Sequence, residues 1–281
     1  MQAYRDNETS IGAELELDDF AALANDPSAL RELQATLDRR AVVRIASAAP
    51  IRAESIERLT RQLGEPAVRG APSALPDYDF IQDFSSIAKH DDGRQRTPGF
   101  IESLHYDVFA NGPAAYAVQV LHLAPPTVPM RFVDMRAVYT SLPDAIKTRL
   151  THVRALHASR PPLDGSRAPV SRHPVAAKHP RTVTPILLLS NKRDSKLEGL
   201  PEDEGRALHA ELWRIVETFG VRYESVMASN EIYVWDNIAC VHDNPAFPRS
   251  QERRSWFFNI LREGEIEALA AQDSARLNAQ A

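Results

Sequence analysis

The chain has 281 residues, 43% hydrophobic and 25% charged, with a net charge of −5 and one cysteine, Cys240. This is ordinary globular composition, with enough apolar residues for a sizeable core. The negative charge argues against a nucleic-acid partner. A single cysteine excludes an intrachain disulfide framework and thiolate-rich zinc or iron–sulfur sites. The opening MQAYRDNETSIGAELELDD has no basic region followed by an apolar run. The longest apolar runs, such as Ile186 to Leu189, fall far short of the roughly 20 residues that span a bilayer. These features predict a soluble, cytoplasmic protein with no membrane partner.

In chain order, PSALRELQATLDRR (27–40) repeats leucine at 30, 33 and 37, a helical spacing, with Asp26 as cap and Pro27 as first helical residue. AVVRIA (41–46) is predicted as a buried strand. APIRAESIERLTRQLGEP (49–66) sets Ile56, Leu59 and Leu63 on one helical face, closed by Gly64. Residues 67–99 are loop-like, and long loops in compact domains are commonly lids or binding segments; a disordered insertion is the alternative. AAYAVQVLHLAPP (114–126) predicts a strand stopped by two prolines. Leu142, Ile146, Leu150 and Val153 predict a helix with Pro143 in its first turn. Residues 158–184 are predicted as a second long loop, TPILLLSN (184–191) as a strand, and EDEGRALHAELWRIVETFG (202–220) as an amphipathic helix. EIYVWDNI (231–238) and RRSWFFNIL (253–261) are predicted strands, and the tail from Glu263 a surface helix. No composition shift marks a second domain, so residues 1–281 are read as one. The absence of βαβ alternation and of a glycine-rich phosphate loop argues against a nucleotide-binding fold.

The stretch SLHYDVF (103–109) puts His105 and Asp107 two residues apart. On a strand, side chains two apart share a face, so an imidazole and a carboxylate would converge. The pair alone is a weak signal, and two polar residues on a solvated strand face compete with it. A third donor must come from the remaining histidines. His90, His173 and His179 fall in predicted loops, His122 on a strand, and His152, His157 and His209 in or beside helices. His242 differs, because it follows the EIYVWDNI strand and the turn after it. Two histidines and one carboxylate with open positions opposite make the donor set of non-haem Fe(II) oxygenases. Those positions accept a bidentate oxo-acid and dioxygen. The far carboxylate of such an acid needs a cation, and Arg253 and Arg254 stand at the start of a predicted strand. A guanidinium set into an apolar interior offers the two-pronged contact a carboxylate takes. Strand alternation turns one of the two inward and leaves the other in solvent.

These segments resemble the TauD/TfdA family of Fe(II)/2-oxoglutarate-dependent dioxygenases, from about Ile11 to Leu261. The resemblance rests on IGAELELDD, ESLHYDVF, RFVDMRAVYTSLP, HPVAAKHP and, most specifically, IYVWDNIACVHDNP followed by ERRSWFFNIL. It implies a mainly β fold with flanking helices, a double-stranded β-helix or jelly roll. It implies Fe(II) held by His105, Asp107 and His242, and 2-oxoglutarate chelating the iron. The far carboxylate of 2-oxoglutarate would be clamped by Arg254, with Arg253 as the alternative. The activity implied is oxidation, chiefly hydroxylation, of an unactivated C–H of a small molecule with dioxygen, releasing succinate and CO2. A homodimer or tetramer fits the resemblance. A carboxylate in the triad leaves no ligand position for chloride, which disfavours halogenation.

Two positions depart from the family pattern. Met130 stands where a Gly-Gly-acid-Thr stretch supplies a threonine to 2-oxoglutarate, and the adjacent Arg131 is either a surrogate anchor or a solvent-exposed residue. Phe258 stands four residues after Arg254, where taurine dioxygenase has a sulfonate-binding arginine. A ring offers a sulfonate no cation, which argues against taurine as substrate. Phe109, Tyr116, Trp256 and Phe258 are candidate pocket residues, with core packing as the competing role for each. Arg160, Arg167 and Arg172 hint at an acidic substrate. Met130 also motivates a rival from another class, a jelly-roll metal or small-molecule binding protein that has lost 2-oxoglutarate turnover. A zinc hydrolase on the same triad is a further alternative.

Overall fold

The computed structural model describes residues 4–68, 74–85, 101–124, 129–159, 168–194, 196–244 and 251–269. The N-terminal helices form where the sequence signals them. The Asp26 side chain accepts from the Ser28 N–H at 2.8 Å, and Pro27 opens the helix Pro27–Arg40. A proline at this position gives up an N–H that has no intrahelical partner anyway. The helix Ala53–Leu63 stops at Gly64, whose φ of +136° suits glycine alone. With Phe20–Ala24, these helices bury Leu30, Leu33, Leu37, Ile56 and Leu59 against one face of a large sheet.

That sheet has eight strands in the order Arg5–Asp6, Ala13–Leu17, Val42–Ser47, Glu231–Asp236, Tyr116–Leu123, Arg254–Ile260, Tyr78–Asp83, Ala74–Leu75. All its pairings are antiparallel except Ala13–Leu17 with Val42–Ser47. Its central strands are buried on both faces, and alternation divides their residues. Val43, Val118, Val120, Ile232, Val234, Phe258 and Ile260 pack toward the helices. Val42, Ala117, Leu121, Tyr233 and Trp235 pack the other way, onto Met130, Phe132, Tyr223 and Cys240. The latter come from a four-stranded sheet in the order Arg222–Val226, Pro129–Asp134, Cys240–Asn244, Ile101–His105. Behind that second sheet lies another apolar cluster, joining Val133 and Val241 to Leu187, Leu208, Leu212 and Trp213. The result is a two-sheet sandwich with a helical layer on each side.

Several predicted elements differ. Two short helices, Met135–Ser141 and Asp144–Arg149, replace the single helix expected across Leu142 to Val153. Leu142 is extended, with ψ of 140°, because the ring of a following proline disfavours the helical conformation. Pro143 therefore precedes the second helix, and Val153 leads into the strand Arg154–Ala158. The region 67–99, expected as loop, contains the strands Ala74–Leu75 and Tyr78–Asp83. The region 158–184 contains Val170–Pro174 and Ala176–Lys178. Residues 86–100 and 160–167 lie outside the described residues. The tail to Leu269 is irregular rather than helical, with Ala268 bridged to Ala177, and the rest of it lies outside the described residues. No helix among the described residues is long and apolar enough to cross a membrane.

Candidate metal centre

His105 and His242 face each other across adjacent strands of the smaller sheet, where they are register partners. Their ring centroids are 4.3 Å apart, and both residues are buried. His242 Nε2 lies 3.8 Å from Asp107 Oδ2. One donor atom from each of the three residues falls within 4.8 Å of the others, and no second such group of His, Cys, Asp or Glu occurs among the described residues.

The reason Asp107 arrives there is not the one alternation suggests. The strand ends at His105, and Asp107 sits in the turn beyond it. Two buried asparagines hold that turn. Asn191 Oδ1 accepts from the Tyr106 N–H at 2.8 Å, and its Nδ2 donates to the Tyr106 carbonyl at 3.1 Å. Asn237 does the same for Asp107, at 3.0 Å in both directions, and also donates to the Ala114 carbonyl. Each amide thus satisfies both backbone groups of one turn residue, where an unpaired buried group would be costly. Tyr106, fully buried, points into the outer apolar cluster and donates to the Leu187 carbonyl at 3.1 Å. Asn191 carries no local motif; Asn237 is visible in the WDN block, but its task is not.

The donor chemistry suits a divalent metal. His105 Nδ1 lies 3.0 Å from the Ser103 carbonyl. A carbonyl only accepts, so Nδ1 carries the proton and Nε2 presents its lone pair. Burial first, then the neighbouring His105, pushes His242 down to about 3, against the pull of Asp107. Two imidazoles and a carboxylate converge, the donor set of a metal of the Fe(II) type. His242 packs against Trp235, at 4.6 Å between centroids, and lies nearly parallel to Phe132 at 6.3 Å.

Arg253 is fully buried, whereas Arg254 is exposed. Of the two candidate clamps, the structure thus turns Arg253 inward and leaves Arg254 in solvent. Burial pushes the Arg253 guanidinium down to about 10. The register shifts between Arg254 and Ser255, and beyond that shift Ser255 is fully buried while Phe257 packs on the inner cluster. Phe257 stands 6.0 Å from Trp235. Trp256 and Phe258 point to the helical side, Trp256 edge-on to His122 at 4.1 Å and Phe258 edge-on to Phe80 at 5.5 Å. Tyr116 also belongs to that side. These three candidate pocket residues therefore lie on the helical face of the sheet. Phe257, missed from sequence, is the aromatic of this strand on the metal side. It stands four residues after Arg253, so the position is again apolar.

Met130 is fully buried on the inner face, two residues along the strand from Phe132, the register partner of His242. It brings a thioether and no hydrogen-bond donor to that face. Arg131 points the opposite way and pairs with buried Asp243, which also accepts from the Arg131 backbone N–H at 3.1 Å. A guanidinium already matched by a carboxylate has little to offer a second one. Phe109 is half-buried in the hairpin strand Val108–Phe109, just past Asp107. Arg172 is tied to Glu198 at 3.0 Å on the surface; Arg160 and Arg167 lie outside the described residues.

The other acid of the WDN block has a different role. Asp236 is buried and accepts from the Ile238 and Ala239 N–H groups at 3.0 and 2.9 Å, which shapes the turn toward His242. His179 Nε2 lies 2.9 Å from its other oxygen. Burial pushes the Asp236 carboxyl up, but His179, the backbone N–H groups and Arg181 outweigh it and hold it below the usual range.

Comparison with known proteins agrees with this architecture. Residues 3–261 match the profile of the family described as taurine catabolism dioxygenase TauD, TfdA family. No curated protein matches the sequence. Among solved structures, the chain is similar to a putative alpha-ketoglutarate-dependent taurine dioxygenase from Burkholderia xenovorans, with a TM-score of 0.79 at 20% identity, covering 96% of this chain and 99% of that one. It is also similar to AAD-2 in complex with Mn(II) and N-oxalylglycine, with a TM-score of 0.77 at 18% identity over 94% and 98% of the two chains. A putative alpha-ketoglutarate-dependent 2,4-D dioxygenase from Burkholderia xenovorans gives 0.72 at 18%, over 94% and 98%. The two-sheet sandwich is thus the jelly roll expected from the sequence. The chain belongs to the TauD/TfdA family of non-haem Fe(II)- and 2-oxoglutarate-dependent dioxygenases.

Proposed function

We propose that the protein oxidises, by hydroxylation, an unactivated C–H bond of a small molecule, with His105, Asp107 and His242 holding Fe(II). The observation that carries this reading is the convergence of those three donors within 4.8 Å at the edge of the inner sheet face. Arg253 is the residue for the far carboxylate of 2-oxoglutarate, supported by its complete burial beside Ser255 and the Phe257 face. Fe(II) held there, with 2-oxoglutarate beside it, would supply the means to activate dioxygen, the oxidant, with one oxygen atom ending in the succinate formed with CO2 from 2-oxoglutarate and the other in the hydroxylated product. The chain's own residues orient and exclude. Asn191 and Asn237 fix the turn that aims Asp107, the Ser103 carbonyl fixes the His105 tautomer, and Trp235 and Phe132 pack around His242. An inner face walled by Trp235, Phe257 and Met130 keeps water from the reacting carbon. Phe109, beside the Asp107 turn, is proposed to border the substrate. Phe257, four residues after Arg253, gives a sulfonate no cation, so the substrate is a compound other than taurine.

The test is succinate formation from 2-oxoglutarate across a panel of small organic acids and neutral metabolites. The expected result is formation that needs Fe(II), dioxygen and one class of compound, and that disappears in His105→Ala. Turnover without dioxygen would point to a zinc hydrolase. A filled metal site that yields no succinate with any compound would favour a binding protein, the reading that Met130 in place of a threonine motivates.

A further inference from the structure

The helix Glu202–Thr218 buries Gly205, Leu208, His209, Leu212, Trp213 and Val216 on one face. Leu208, Leu212 and Val216 need only an apolar surface, which the outer cluster supplies. His209 and Trp213 are different. Each carries a ring N–H into that cluster, where it needs an acceptor. They stand one turn apart, with ring centroids 6.5 Å from each other, and both are almost completely buried.

Both rings find the same acceptor. Trp213 Nε1 donates to the Ser190 carbonyl at 3.0 Å, and His209 Nε2 lies 3.1 Å from that oxygen. A carbonyl only accepts, so Nε2 carries the His209 proton. Burial holds His209 below its ordinary 6.5, which keeps the ring a neutral, single donor. The Ser190 hydroxyl, also 3.1 Å from Nε2, donates to the Asp194 carbonyl at 3.0 Å. The Asp194 N–H donates to the Asn191 carbonyl at 2.7 Å. The segment from Ser190 to Asp194 is thus closed on itself and pinned to the helix at Ser190.

The pinned carbonyl belongs to the planar peptide that joins Ser190 to Asn191. Fixing its direction fixes where the Asn191 side chain begins. That side chain takes both backbone groups of Tyr106, and the Leu187 carbonyl takes the Tyr106 hydroxyl. Asp107 follows directly. A continuous path of hydrogen bonds and planar peptides therefore runs from the helix to the turn that carries the metal-donor carboxylate.

We propose that His209 and Trp213 are positioning residues for the metal centre, acting through the Ser190 carbonyl and the Asn191 amide to aim Asp107. The proposal rests on His105, Asp107 and His242 as the metal donors. Neither ring acts by contact with metal or substrate.

The experiment is titration with Co(II), followed by its visible absorption, beside denaturant unfolding of each variant. His209→Leu, which removes the N–H donor, is expected to weaken one-to-one Co(II) binding about tenfold, as for other residues that orient metal ligands. His209→Gln, which restores a donor, is expected to recover most of that loss. Trp213→Phe, which keeps a ring, is expected to weaken binding about fivefold, the value of one hydrogen bond. Leu212→Ala weakens the packing of the same helix but takes no donor from Ser190, and is expected to leave Co(II) affinity unchanged while lowering the unfolding midpoint. In Asn191→Ala the path is already cut, so adding His209→Leu is expected to cost little further affinity. If His209→Leu does not fold, Trp213→Phe takes its place in that pair. Affinity lost equally in Leu212→Ala, or losses that add in full with Asn191→Ala, overturn the proposal and leave the two rings as packing alone. Absence of Co(II) binding to wild type overturns the assignment of the metal donors, and the proposal with it.

Discussion

The two faces of the eight-stranded sheet are made of different chemistry. Toward the helices the central strands show Val118, Val120, Ile232, Val234, Phe258 and Ile260. Toward the smaller sheet the same strands show Ser255, Gln119, Asn259, Tyr233, Trp235 and Phe257, almost as deeply buried. An aliphatic face needs nothing but a complementary surface, and the helices supply it. A buried face rich in hydroxyls, amides and indoles is expensive unless those groups have partners. The face with polar groups is also the one that meets His242, and Trp235 Nε1 stands there without a hydrogen-bond partner among the described residues. The contrast separates packing from chemistry within single strands: one residue step moves a side chain from one to the other.

The largest effect tests the metal side. His242→Ala is expected to abolish one-to-one uptake of Fe(II) or Co(II) while the far-ultraviolet circular dichroism is unchanged. Equal uptake by the variant would mean that the convergence of three donors has no bearing on metal.

The two adjacent phenylalanines sharpen the contrast. Phe258→Ala is expected to cost about 3–5 kcal/mol of stability, as for a large ring removed from a packed core, with the Kd for 2-oxoglutarate unchanged. Phe257→Ala, half-buried, is expected to cost less stability and to raise the KM for substrate. Denaturant unfolding beside steady-state kinetics reads both, and a reversed pattern would exchange the roles of the faces.

A smaller loss is expected for Asn191→Ala, about 1–3 kcal/mol for each backbone group of Tyr106 left unpaired. Its metal affinity is expected to fall as well, because the turn that aims Asp107 loosens. A destabilising control in the helical layer, Leu33→Ala, is expected to leave metal affinity intact. Matching losses of affinity in the two variants would reduce Asn191 to general stability.

The smallest effect is a pH dependence. Burial works against protonation of His179, but Asp236 outweighs it and raises His179 above its ordinary 6.5. Its contribution is therefore complete below about 6.5 and is lost as pH rises through the raised value. Asp236 is held below its ordinary 3.8, so its contribution is present above that and is lost as pH falls through the lowered value. The pair stabilises most between these limits. The Tm difference between wild type and His179→Gln is expected to be largest near pH 5–6 and to shrink toward pH 9. A difference that grows with pH would contradict the charged pair.

Local signals made the helices Pro27–Arg40 and Ala53–Leu63 readable, because each joins helical periodicity to one terminal signal, the Asp26 cap and Pro27 in the first and the Gly64 stop in the second. The metal donors were readable by residue type and spacing, yet the local reason was wrong, since Asp107 reaches its place in a turn. What holds that turn comes from Asn191 and Asn237, 85 and 130 residues away in sequence, and no local pattern reports such pairs. With Arg253 and Arg254 adjacent, the sequence leaves open which faces inward, and with it the face of Trp256 and Phe258, because strand side chains alternate. Both faces of this strand are rich in bulky apolar residues, so hydrophobicity does not say which face is inner. Burial of Arg253 does.

The most direct measurement is anaerobic titration of Fe(II) and 2-oxoglutarate, following the weak visible charge-transfer band of the chelate in wild type, His105→Ala, Arg253→Gln and Arg254→Gln. The band is expected in wild type and in Arg254→Gln, with its loss in His105→Ala and a need for roughly a hundredfold more 2-oxoglutarate in Arg253→Gln, as for loss of a bidentate charged contact. A band that survives unchanged in Arg253→Gln, or that is absent from folded wild type with iron bound, would contradict this reading.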